Sequence, residues 1–143
     1  MGSKGNTFEN DIVKLIFNAT AIANIADNAA SAPFTNLYFA LHTADPGETG
    51  LQNTSECAYT SYARVAVLRT SGGFTVTANS VSPVANVNFP IATGGSETAT
   101  HFSIGTAISG AGKILYYGTI TPNIVIVTTV PPVLVPSTAV TED

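Results

Sequence analysis

Charge is what this chain has least of. Only 10% of its 143 residues are Asp, Glu, Lys or Arg, against about 25% in an average soluble domain. The five basic residues, Lys4, Lys14, Arg64, Arg69 and Lys113, are scattered. Tight binding to a phosphate backbone needs clustered cations, so neither nucleic acid nor an anionic membrane is an expected partner. Cysteine is nearly absent. The single Cys57 excludes an intramolecular disulfide and a cysteine-cluster zinc site. Nothing beside it in sequence would lower its pKa, so it reads as an inert small residue. Tryptophan, the residue most expected to stack a sugar, is missing. No run approaches the roughly 20 apolar residues that span a membrane. Residues 12–26 are apolar, but Glu9 and Asp11 precede them, Asn18 and Asn24 interrupt them, and no cleavage site follows. That is not a signal-peptide pattern, and a mature, unprocessed cytosolic product is expected.

What is present is apolar and β-forming. Hydrophobic residues make up 45% of the chain and the mean hydropathy is +0.29. Either Thr, Ser, Asn and Gly dominate the surface or partners cover part of it. The length suits one domain, able to bury roughly two thirds of its unfolded surface without staples. Three parts are expected: a tail at residues 1–6, an amphipathic helix segment at 7–31, and a β-sandwich at 32–143 ending in a Pro-rich stretch. Within the helix segment, residues 7–28 carry apolar side chains at three- and four-residue spacing. Phe8, Ile12, Leu15, Ile16, Ala19, Ile22, Ala23 and Ala26 form one stripe. Asn6 is the expected N-cap, with Glu9 three residues on. The stripe must be covered by the chain's own sheet or by another subunit.

From Asn36 onward Thr, Val, Ile, Tyr and Phe alternate between Gly, Pro and Asn turns, which predicts an all-β body. Leu37, Phe39 and Leu41 share one strand face, and a second strand covers residues 62–69. Gly72-Gly73 signals a hairpin before residues 74–78, Asn79-Ser80 turns again, and residues 84–89 alternate. Residues 98–107 form a strand with Phe102 and Ile104 on one face and His101 on the other. Residues 113–120 follow, Pro122-Asn123 turns, and residues 124–129 make another strand. Proline confines Val133, Leu134 and Val135 to an edge strand or arm. About eight short strands with turns between them predict an antiparallel sandwich, jelly-roll-like.

Few residues are candidates for chemistry. His42, Asp45 and Glu48 lie close in sequence, and Asp45, Glu48 and Glu56 could hold a weak cation. Yet Asp45-Pro46-Gly47 is an ordinary turn in which Asp bonds its own backbone. A lone mid-strand His101 reads as a packing or interface residue. No Gly-x-Ser-x-Gly elbow, His-Glu-x-x-His or phosphate loop occurs. Tyr38, Tyr59, Tyr62, Tyr116 and Tyr117 could form a sugar platform, but tyrosine equally serves protein interfaces. Gly47 and Gly110 are expected at positive φ. Neither a catalytic residue nor a cofactor or metal is expected.

In order, the motifs are Leu41-His42-Thr43-Ala44-Asp45-Pro46-Gly47-Glu48-Thr49-Gly50, Tyr62-Ala63-Arg64-Val65, Thr93-Gly94-Gly95 and Thr100-His101-Phe102-Ser103-Ile104-Gly105-Thr106-Ala107. Ser109-Gly110-Ala111-Gly112, Leu115-Tyr116-x-Gly118 and the terminal Thr141-Glu142-Asp143 complete them. Over residues 36–143 this chain resembles small virion proteins of tailed bacteriophages, a family with structural and tail-fibre members. Phe74 stands where that resemblance leads one to expect Trp. The resemblance implies a non-enzymatic virion part. Physical grounds point to the capsid exterior, after assembly in the host cytoplasm. The chain is compact, lacks fibrous repeats, and carries two partner-seeking segments. A cement (decoration) protein would bridge major capsid protein subunits and pair with itself as a homodimer or trimer. The expected partner-binding residues are Phe8, Ile12, Leu15, Ile16, Asp45, Glu48, Val133, Leu134 and Val135. A tail or tail-fibre-associated subunit is the alternative, and a carbohydrate-binding receptor module the second.

Overall fold

The fold, a computed structural model, describes residues 4–22, 25–26 and 33–142. It is mainly β, with antiparallel sheets and one helix, as the strand-forming composition requires. The helix α1 (Asn6–Asn18) is shorter than the apolar periodicity suggested. Ala19 turns left-handed (φ 53°), and the N–H of Thr20 closes back on the Lys14 carbonyl, a helix-ending turn. Two further end carbonyls would lack partners. Arg69 reaches across and donates to both, through Nη2 to Leu15 O and Nε to Ile16 O. Of the longer segment expected, residues 23–24 and 27–31 lie outside the described residues. The cap also differs: extended Gly5, not Asn6, is the N-cap, and it offers no side-chain bond.

The helix buries a different face from the one the stripe defined. Val13 and Phe17 are fully buried, whereas Phe8 is exposed and Ile12 and Leu15 are only partly covered. At about 100° per residue, Val13 and Phe17 lie roughly across the helix from Phe8, Ile12 and Leu15. Phe17 sets its ring edge-on to Phe74 at 4.9 Å and against Tyr116 at 5.5 Å. The helix is therefore covered by its own β-structure, on β3 (Phe74–Thr77) and β4 (Ser80–Pro83).

The largest sheet has the order β2-β1-β6-β7 and comprises Val65–Leu68, Asn36–His42, Glu97–Gly105 and Ile114–Ile126. Its register sets Phe39 opposite Val65 on one side and Ile104 on the other. A second sheet runs β3-β4-β9, with β9 at Val140–Thr141. A third pairs β5 (Val87–Asn88) with β8 (Val133–Leu134). All three sheets and the helix contribute to one core, in which Phe39 stacks between Phe74 (6.1 Å) and Phe102 (6.3 Å).

Several local expectations change. Ser80 begins β4 and does not lie in a turn, and of residues 84–89 only Val87–Asn88 is strand. Gly72-Gly73 is not a hairpin, because β2 pairs with β1 and β3 with β4; the turn carries the chain from one sheet to another. Pro122-Asn123 does not end a strand. β7 runs through it, with a cis Thr121–Pro122 peptide and a register shift in β6 between Ala99 and His101. The Pro-rich stretch is only half outward: Pro132 and Leu134 are buried, Val130 and Val135 exposed.

Strand β1 is covered on both faces. Leu37, Phe39 and Leu41 face the core as alternation predicts, yet Ala40 and His42 are also wholly buried. The chain after β1 turns back and pairs with its end, through Thr43 N–Ser55 O (2.8 Å) and Cys57 N–Leu41 O (2.9 Å), which brings the Thr54 carbonyl to the His42 ring.

Candidate functional site

That fold-back is held by an interior polar network at one end of the large sheet. Arg64, just before β2, is buried and forms a two-pronged ion pair with Glu56: Nε to Oε1 at 2.7 Å and Nη2 to Oε2 at 2.8 Å. Its remaining donors reach Ala107 O at 2.9 Å and Gly110 O at 2.6 Å. One guanidinium thus joins residues 43–56 to the 106–113 loop. This is the planar, multi-donor geometry that arginine supplies and lysine does not. The Tyr62 hydroxyl donates to Glu56 Oε1 (2.9 Å) and accepts from Leu41 N (3.0 Å). Burial, and then the Glu56 charge, raise the Tyr62 pKa, so the phenol stays neutral.

Gln52, fully buried, fills the space between the loops. Its amide donates to Tyr38 O and accepts from Ala107 N, both at 3.0 Å, while its backbone N–H meets Gly112 O at 2.8 Å. A Cβ at Gly105 would fall 2.2 Å from Gln52 Cδ, and one at Gly112 would fall 2.2 Å from its Oε1. Those glycines are required by close approach. Gly47 and Gly110 adopt positive φ (70° and 72°) in the turns.

His42 has no accessible chemistry. Its Nδ1 meets the Thr54 carbonyl at 2.8 Å, so Nδ1–H donates there and Nε2 accepts from Ser103 Oγ, also at 2.8 Å. Burial lowers its pKa, so it is neutral. A serine–histidine pair exists, but both members are 0% exposed and a substrate could not reach them. Burial also pushes the Cys57 thiol up to about 12, leaving it protonated and unreactive. The carboxylate of Glu97 accepts from Ala58 N and Tyr59 N at 2.8 Å each, pinning the segment to β6.

The sequence-predicted partner residues fall in three places. Asp45 and Glu48 are exposed on the fold-back loop, and Asp45 Oδ1 accepts from Gly47 N at 2.8 Å, the expected turn bond. Glu56, the third proposed cation ligand, is instead committed to Arg64; among the described residues no group of three or more His, Cys, Asp or Glu could hold a metal. Phe8, Ile12 and Leu15 lie on the outer side of α1, and Ile16 packs partly on the core. Val133, Leu134 and Val135 line a groove of about 460 Å³ against β7. The tyrosines do not form a platform. Tyr59 packs on Tyr62 and donates to Pro90 O, while Tyr116 packs on Phe17 and donates to Glu142.

A protein-family model described as podophage GP4 fiber I protein gp80 matches residues 4–135. The chain belongs to this family. A search of curated proteins gives no match. Membership in the gp80 family makes this a phage virion structural protein and extends the resemblance read over residues 36–143 back through the helix.

The motifs read in the sequence now have physical content. Leu41-His42, Tyr62-Ala63-Arg64, Ser103, Gly105 and Gly112 are the parts of the network. Sequence reasoning missed Gln52, which closes on Gly105 and Gly112, and Val13 and Phe17 as the helix's core contacts. Two glycines that tolerate no Cβ were the available signal for Gln52, but nothing in sequence says which side chain sits on them.

Proposed function

We propose that this chain is a non-enzymatic structural subunit of the fibre or tail apparatus of a podophage virion. The observation that carries the reading is the fiber-protein family match over residues 4–135. The geometry supports it: the buried histidine, serine and cysteine are used in packing, and the loops are locked rather than open around a reactive group. Compactness, low charge and apolar segments suit a cement protein equally, so they do not favour the capsid shell over the tail. The family match does favour the tail. A sugar-binding role gains no support, because Tyr59, Tyr62 and Tyr116 spend their rings and hydroxyls inside the fold.

The test is to separate heads from tails in purified particles and quantify this chain in each by gel densitometry. A few copies per particle, all with the tails, are expected. Hundreds of copies with the heads would overturn the reading in favour of a cement role on major capsid protein.

A further inference from the structure

Between β8 and Glu142 the chain runs as a strap. It leaves β8 at Leu134, turns where Thr138 N–H bonds Val135 O at 2.9 Å, and rejoins the body as β9 on β4. It borders the groove of about 460 Å³, whose other lining comes from Phe102 and residues 119–124 of β7.

Apolar packing holds this strap only lightly. Between Val135 and Glu142 one side chain, that of Val140, is buried in the core, while Val135, Pro136, Ser137, Ala139 and Thr141 are exposed. β9 pairs over two residues, with Val140 opposite Val81 and Thr141 opposite Ser80. The root is different: Pro132 and Leu134 are buried, and Pro132 O accepts from Phe89 N at 2.9 Å. A segment with little buried apolar surface and few backbone bonds opens at low free energy, separately from the core.

Polar contacts at Glu142 offset that weakness. Its Oε1 meets Lys4 Nζ at 2.7 Å, and its Oε2 accepts from the Tyr116 hydroxyl at 2.7 Å. Its backbone N–H donates to Asn79 O at 2.9 Å, and its carbonyl accepts from Asn79 Nδ2 at 2.8 Å. One residue thus ties the strap to the segment before α1, to β7 and to the turn between β3 and β4. The bonds from Lys4 and Tyr116 hold its carboxyl below the usual range, so these contacts are charge-assisted at neutral pH.

We propose that residues 135–142 open as a unit while the core stays folded, with Glu142 as the clasp that keeps the strap shut and Leu134 as its fixed root. Opening removes Val135 and Ala139 from the lining of the groove and widens it above Phe102 and residues 119–124. The groove is therefore gated by the chain itself, through one carboxylate.

Native-state hydrogen exchange of the full chain, followed over a series of sub-denaturing urea concentrations, tests this. The amides of residue 142 and of the β4–β9 pair are expected to exchange with a shallow urea dependence, because strap opening exposes little surface. The amides of the β1–β6 pair and of Phe89 are expected to show the steep dependence of whole-domain unfolding. Strap amides that share the steep dependence overturn the proposal; a shallow Phe89 amide places the pivot elsewhere and also overturns it. In Glu142→Ala the strap amides are expected to exchange roughly tenfold faster with the slope still shallow, as for the loss of a hydrogen bond to a charged group. Tyr116→Phe is expected to act in the same direction by a smaller factor. An unchanged rate in Glu142→Ala, or in Tyr116→Phe should the first variant not fold, overturns the clasp.

Discussion

Glu56→Gln tests the ion pair at the centre of the network. The substitution preserves size and removes one charge. The Arg64 side chain, 1% exposed, would keep its bonds to Ala107 O and Gly110 O but lose its counter-charge. Breaking a buried ion pair by removing one partner costs about 3–5 kcal/mol. The lower end applies here, because the Glu56 side chain is 15% exposed and the two carbonyls still receive the guanidinium. A loss of about 3 kcal/mol is a large share of the roughly 5–15 kcal/mol that holds a domain together.

Equilibrium urea unfolding of wild type and variant gives the difference directly. Glu48→Gln, at the exposed tip of the same loop, is the control and should stay within about 0.5 kcal/mol. Hydrogen exchange localises the effect: the amides of Gln52 and Thr106, bonded to Gly112 O and Lys113 O, should lose protection before those of β1. A Glu56→Gln protein within about 1 kcal/mol of wild type, or no worse than the control, would refute the claim that this ion pair holds the loops.

Three further outcomes are expected. Phe17→Ala should destabilise by about 3–5 kcal/mol, because Phe17 is fully buried against Phe74; deletion of the helix should then unfold the body, and a stable truncated protein would contradict this. His42 is buried neutral with its pKa depressed by desolvation. The unfolded chain therefore binds the proton first, and stability should fall as pH drops below about 6.5, less steeply in His42→Gln; equal slopes would count against it. Cys57, with its thiol pushed up to about 12 by burial and the nearby Glu97 and Glu56 carboxylates, should resist iodoacetamide at pH 8 until the protein unfolds. Rapid native alkylation would show the site to be open.

The parts legible in sequence were those where one physical rule acts alone. Leu37, Phe39 and Leu41 alternate, so β1 and its core face could be read, and Asp45-Pro46-Gly47 bonds its own backbone as such turns do. The helix phase was not legible, because apolar residues occur on both sides of it. Phe8, Ile12 and Leu15 compete with Val13 and Phe17, and only the position of Phe74 decides between them. The helix end was hidden for a similar reason, since Arg69, distant in sequence, takes the last carbonyls. β9 is only two residues long, too short for any periodicity. Gln52 was invisible because a buried glutamine has no pattern; its burial depends on partners from separate segments of the chain.

The motifs on which the resemblance was read lie largely inside the fold. His42, Ser103 and Gly105 are buried, Arg64 nearly so, and Gly112 is closed by Gln52. Residues used this way specify how the loops are held, not what they touch. A buried ion pair is in any case a weak source of net stability compared with apolar packing. What it gives here is one loop arrangement, fixed by directional bonds that an apolar core could not impose. Outward residues on those fixed loops, among them Glu48, Leu51 and Ile108, carry none of that constraint. They can vary without disturbing the latch beneath them. If the loops meet a partner, specificity for it resides in such outward positions and not in the network beneath them.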